Sequence, residues 1–151
     1  MDTAGPATAA AVVALGVVIG LWRRGTEGRL RASGRGAAEA EGAVEERIDP
    51  ALLATLGVGP AQATLLQFSS AFCAPCRAVR RISGEVAAML PGVQHVEIDA
   101  ESHLDAVRAL GIWKTPTLLV LDEEGRVAKR ATGVPAKPQL IAALGDVLPA
   151  R

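Results

Sequence analysis

The sequence predicts an α/β domain, a mixed central sheet flanked by helices, with an N-terminal transmembrane helix ahead of it. Three observations carry this expectation. After residue 63, apolar runs of strand length alternate with helical periods in the order strand, helix, strand, helix, hairpin, helix. Residues 3–22 contain no charge. The two cysteines of the chain, Cys73 and Cys76, stand two residues apart where a strand hands over to a helix. At 151 residues there is room for one domain with appendages, not for two full domains. The expected division is an anchor over 1–24, a flexible polar linker over 25–47 and the folded domain over 48–151.

Composition narrows the classes. Formal net charge is zero, which gives no footprint for nucleic acid and no acidic tail. Tyrosine is absent and aromatics are scarce, so Ala, Val and Leu must supply most of the core. Two cysteines in one Cys-x-x-Cys do not make a structural disulfide framework, and they fit either side of a membrane.

The first element is the charge-free stretch. As a helix it would extend about 30 Å, the thickness of a hydrocarbon core. Pro6 suits its first turn, and Trp22 suits the interfacial belt. Arg23 and Arg24 follow at once, with Arg29, Arg31 and Arg35 beyond, whereas only Asp2 and the terminal amine precede it. The positive-inside rule then places the N-terminus outside and the domain on the cytoplasmic face, as a single-pass protein of the cell membrane held through residues 4–22. A cleaved signal peptide would need its basic residues before the apolar run and a small-x-small site after it, and neither is present. Gly16 and Gly20 form a G-x-x-x-G, a pattern that permits a weak transmembrane dimer but arises by chance in so Ala/Gly-rich a stretch. Residues 25–47 mix Gly, Ala, Arg and Glu without apolar period, the composition of a solvated tether, with a fluctuating helix over 37–47 as the rival.

The domain reads in order. Asp49 before Pro50 is an N-cap with proline at the first helical position, and Gly57 closes a short helix over 50–56. Residues 64–69 form a strand apolar on both faces except at Gln67, as a central, doubly covered strand would be. A helix follows over 74–90, with Val79, Ile82, Val86 and Met89 or Leu90 inward and Arg77, Arg80 and Arg81 on a solvated face. Pro91-Gly92 ends it. Residues 93–99 are a strand with Val96 and Ile98 inward, and Ser102 caps a short helix that stops at Gly111. A strand over 117–121, a turn at Glu123-Glu124-Gly125 and a strand over 126–131 make a hairpin. An amphipathic helix over 138–148 closes the domain, with Leu140, Ile141, Leu144 and Leu148 inward.

The chemistry lies at Phe72-Cys73-Ala74-Pro75-Cys76. The first turn of a helix carries backbone N–H groups without intrahelical partners and the positive end of the helix dipole. Both stabilise a thiolate, which makes Cys73 the nucleophile. Cys76, one turn on, is placed to attack a mixed disulfide and release the substrate. Pro75 lies in that first turn, where its missing N–H costs nothing. Half of a zinc site is the competing reading, but zinc needs four ligands, and His95 and His103 do not complete a finger-like spacing. No metal is expected, and His103 beside Glu101 and Asp105 reads as a surface residue.

Cys73-Ala74-Pro75-Cys76, then Ile98-Asp99, then Gly111-Ile112-Trp113-Lys114-Thr115-Pro116-Thr117, then Gly125 and Gly133, resemble the thioredoxin family over residues 64–148, in its order and spacing. The resemblance implies that Pro116 is a cis proline facing the cysteines. It implies that the Thr115 backbone pairs with an extended substrate strand. Phe72 and Trp113 would then flank the cysteines as substrate contacts. The chain also departs from the family. Phe72 stands where a tryptophan is common, Gln67 stands where a buried acid takes the proton of the second cysteine, and His95 stands where a lysine neighbours that acid. His95, with an ordinary pKa near 6.5, is the candidate stand-in for proton transfer.

The function expected is thiol–disulfide exchange on protein thiols and disulfides, as a reductase on the cytoplasmic face, with no metal or organic cofactor beyond the Cys73–Cys76 couple and an electron donor the sequence does not identify. Two alternatives stand beside it. One is exchange outside the cytoplasm, on secreted proteins or in cytochrome maturation. The other is an adaptor that keeps the fold but turns over poorly because the buried acid is gone.

Overall fold

The structure is a computed structural model that describes residues 4–26, 30–32 and 47–149, with side chains at 11–22, 30 and 47–149. A five-stranded mixed sheet carries helices on both faces. Its strands are β1 (Arg31–Ala32), β2 (Ala63–Ser69), β3 (Val93–Asp99), β4 (Thr117–Asp122) and β5 (Val127–Thr132). The helices are α1 (Ala4–Thr26), α2 (Pro50–Thr55), α3 (Ala74–Met89), α4 (Leu104–Ala109) and α5 (Lys137–Gly145). The order across the sheet is β1-β5-β4-β2-β3. Only β2 and β3 run parallel; the other three pairings are antiparallel.

β2 is the doubly covered strand its sequence demands, with all seven residues buried. Its alternation feeds two cores. Leu66 and Phe68 pack with Leu56, Ile98, Ala106, Leu110 and Leu119 under α2 and α4. Ala63 and Leu65 pack with Val79, Val86, Leu118, Leu140 and Leu144 under α3 and α5. Each fully buried Leu or Val contributes about 1.5–3 kcal/mol relative to exposure. The hairpin turn forms as expected, with Gly125 at φ 77°, a conformation costly for a side-chain-bearing residue.

Several expectations are corrected. Ser102 does not cap α4; its hydroxyl donates to Asp99 Oδ2 at 2.5 Å, and His103 takes the cap position without a capping bond from its side chain, whose Nδ1 instead meets the Asp99 carbonyl at 3.0 Å. Asp99 competes better because it also accepts Glu101 N–H at 3.1 Å. Ile141 points to solvent, while Ala143 fills the inward place; of the alternatives Met89 and Leu90, Leu90 is the one that packs inward. α5 ends at Gly145, and Leu148 packs on the core from beyond it. Arg80 is not simply solvated: it forms a two-pronged ion pair with Glu97, through Nε to Oε2 and through Nη2 to Oε1 at 2.8 Å.

The span 25–47 is not uninterrupted tether. α1 runs to Thr26, and Arg31–Ala32 adds an edge strand antiparallel to β5, with Leu30 packed on the α3/α5 core and Arg47 bridging Arg126. Edge pairing of this kind is made by the backbone and needs no apolar period, so composition hides it. The rival helix over 37–47 falls, but for Arg47, outside the described residues, as do Arg29 and Arg35. The N-terminal helix is present, with Val12, Val13, Leu15, Val17, Val18, Leu21 and Trp22 exposed. Among the described residues, however, no helix is long and apolar enough to cross a membrane.

Candidate active site

Past Ser69, the end of β2, the chain makes a short loop and enters α3 at Ala74. Cys73 is the N-cap, with extended backbone (φ −93°, ψ 96°). Its Sγ accepts the N–H of Cys76 at 3.1 Å, and its carbonyl accepts the same N–H at 3.1 Å. The sulfur therefore takes the place that a Ser or Asp oxygen occupies in an ordinary helix cap. Pro75, in the first turn, gives up an N–H that had no partner to lose. The two cysteines are joined, with S–S 2.00 Å and Cα atoms 5.2 Å apart. They differ in access: Cys76 is 2% exposed, and Cys73 is partly open. Beside Cys73, Phe72 is 100% exposed.

A polar cluster lies beneath the second cysteine. Gln67, at 0% exposure, donates from Nε2 to the Cys76 carbonyl at 3.0 Å and to Ser69 Oγ at 2.8 Å, with Glu97 Oε1 farther off at 3.4 Å. Its Oε1 faces His95 Nε2 at 3.1 Å. An amide oxygen only accepts, so the His95 proton sits on Nε2. Burial pushes the His95 imidazole below its ordinary pKa, with the Arg80 charge adding to the effect and Glu97 opposing it. For Glu97, burial works upward, but hydrogen bonds from Arg80 and Ser69 and the Arg80 charge outweigh it and hold the carboxyl below its usual range. The parallel register makes the cluster: Leu65 pairs with His95, Gln67 with Glu97 and Ser69 with Asp99, so their side chains share the α3 face.

Facing the disulfide loop is the turn into β4. The Thr115–Pro116 peptide is cis, as the family resemblance implied, and Pro116 is buried. Thr117 Oγ1 donates to the Lys114 carbonyl at 2.7 Å, and Gly133 N–H donates to the Pro116 carbonyl at 2.9 Å, which fixes the turn from both sides. Trp113, two residues before Thr115, is 95% exposed. The hydroxyls of Ser70 and Thr115 are hydrogen-bonded at 3.0 Å and join this turn to the disulfide loop.

The structure thus gathers Cys73, Cys76 and Gln67 around the start of α3 and ties Thr115 to the loop that carries Cys73. His95 contacts Gln67 rather than Cys76, so an amide stands between the imidazole and the second cysteine. Ser70, Ser69, Arg80 and Glu97 escaped the sequence reading. Arg80 and Glu97 carried a signal, since Arg80 lies one turn after Cys76 and Glu97 alternates with His95. The two serines carried none. Among the described residues no cluster of three or more His, Cys, Asp or Glu is placed to hold a metal ion.

The thioredoxin family model matches residues 55–146. Thioredoxin of Alicyclobacillus acidocaldarius is 34% identical over 85 residues, 56% of this chain and 80% of that protein. Thioredoxin of Mycobacterium tuberculosis is 26% identical over 104 residues, 68% of this chain and 89% of that one. Among solved structures, chloroplastic thioredoxin z superposes with TM-score 0.56 at 24% identity, over 68% of this chain and 92% of its own. The reduced thioredoxin pre-protein of Schistosoma mansoni gives 0.54 at 16%, over 68% and 95%. At these identities the structural likeness speaks for the fold.

Proposed function

Because the chain belongs to the thioredoxin family and carries the close cysteine pair of its thiol–disulfide oxidoreductases, we propose that it reduces protein disulfides through Cys73 and Cys76 from a membrane tether. The observation that carries the reading is the Cys76 N–H aimed at Cys73 Sγ at the start of α3, with Cys73 partly open and Cys76 sealed. In the reduced protein, negative charge on Cys73 sulfur meets that N–H and the positive helix end.

The thiolate of Cys73 attacks one sulfur of a substrate disulfide. A Cys73–substrate disulfide forms, and the other substrate sulfur leaves as a thiolate that takes a proton from water. Cys76 then loses its proton and attacks the Cys73 sulfur. The second substrate thiolate leaves, and the Cys73–Cys76 disulfide is formed. Two electrons have passed to the substrate, and an external dithiol must return them. Gln67 holds no carboxylate to take the Cys76 proton, so the proton passes to water or to the departing thiolate. An extended substrate segment lies against the Thr115 backbone beside cis-Pro116, with Phe72 and Trp113 supplying apolar contact on either side.

Cys76→Ser should accumulate mixed disulfides through Cys73, and Cys73→Ser should accumulate none. Trapping by both variants, or by neither, refutes the assignment.

Attachment to the membrane is read from the sequence alone, from the charge-free run 3–22 and the arginines that follow it. The excess of arginine after the run argues for the domain on the cytoplasmic face, and the Gly16/Gly20 spacing for a weak seam between two such segments. Sedimentation with membranes, and no labelling of Cys73 by an impermeant thiol reagent in intact cells, are the expected results. Labelling without lysis would place the domain outside. One observation, the amide at position 67, favours a second reading, an adaptor of low turnover. Insulin reduction near background with partner capture intact would decide for it.

A further inference from the structure

Ser70 bonds both to the loop that carries Cys73 and to the turn that carries cis-Pro116. Its carbonyl accepts the Cys73 N–H at 3.3 Å, which fixes the loop that carries the nucleophile. Its hydroxyl bonds Thr115 Oγ1 at 3.0 Å, across a separation of 45 residues. Neither hydroxyl is at the open surface; Ser70 and Thr115 are both partly buried. The other ties on the turn, Lys114 to Thr117 and Pro116 to Gly133, hold it to β4 and β5. The Ser70 hydroxyl ties it to the disulfide loop.

We propose that Ser70 is a positioning residue that sets the spacing between the Cys73 sulfur and the Thr115 backbone, and so favours disulfides carried on extended polypeptide over small disulfides. The inference rests on the exchange reaction proposed above. A small disulfide needs only the Cys73 sulfur. A polypeptide must bond the Thr115 backbone while its own sulfur lies in line for attack. A displacement of about 1 Å in such a two-point arrangement costs on the order of a hundredfold in rate. Releasing one hydrogen bond allows part of that displacement, and a loss of about five- to tenfold is expected.

The test compares reduced wild type, Ser70→Ala and Ser70→Thr on two oxidants, insulin and hydroxyethyl disulfide, by the rate at which Cys73 is consumed. Ser70→Ala should lower the ratio of the insulin rate to the hydroxyethyl disulfide rate about five- to tenfold. Ser70→Thr keeps a hydroxyl and should restore the ratio. Thr115→Val breaks the same bond from the other side and should lower the ratio equally, and the double variant should fall no further. An unchanged ratio, or equal losses on both oxidants, overturns the inference and leaves the exchange reading standing. Wild type inert toward both oxidants overturns the exchange reading, and the inference with it.

Discussion

Gln67 sits under the disulfide with every polar atom engaged, between the Cys76 carbonyl, the Ser69 hydroxyl and the His95 ring. A neutral amide in a fully buried place carries no desolvated charge, yet it cannot be removed cheaply, because its partners would be stranded. Gln67→Leu, close in size, should lower stability by about 1–3 kcal/mol, read from urea unfolding of the oxidised protein. No loss would mean that water replaces the amide. At this scale the sequence was legible where chemistry is rare: two cysteines, one Thr-Pro-Thr and a glutamine in an apolar strand all announce themselves. Ser70 was not legible, because its role depends on a partner 45 residues away that only the folded chain brings near.

α3 does two jobs, presenting Cys73 at its first turn and packing along its length. Val79, Ser83 and Val86 face inward at helical spacing and are buried. The Ser83 hydroxyl is fully buried and has no hydrogen-bond partner among the described residues. Ser83→Ala should therefore raise stability by about 1 kcal/mol, from the lost desolvation penalty and the better helix propensity of alanine. A lower urea midpoint would show that the hydroxyl has a partner after all. Toward β3 the helix is held by Arg80 on Glu97, a partly exposed pair of modest strength. Apolar period located every helix and strand of the domain to within a few residues. It misjudged the ends of α5 and the facing of Ile141, because near a helix end the neighbours in space, not the helical angle, decide what is covered. The edge strand β1 was missed because its pairing is made by backbone alone.

The molecule as a whole should be acid-sensitive in two stages of one sign. His95 has a folded pKa below its ordinary 6.5, so the unfolded chain binds more protons just below that value and stability falls as the pH drops past it. The Glu97 and Asp99 carboxyls are also depressed. Their contribution is complete above the ordinary 4.5 and 3.8 and is lost as the pH falls through the lower folded values. Urea midpoints should hold from pH 8 to 7, drop gently near pH 6 and drop again below pH 4. His95→Asn, which keeps a side-chain N–H donor, should remove the upper stage alone; a surviving upper stage would assign it elsewhere. At this scale the mixed sheet with helices on both faces was readable from element order, and the edge that β1 adds was not. The unequal openness of the two sulfurs has a consequence for the whole catalytic cycle. A reductant arriving at the oxidised protein finds only the Cys73 end of the bond within reach, so the client and the recharging partner dock at one address. In the exchange proposed above they cannot be served together, and turnover alternates between them in ping-pong fashion.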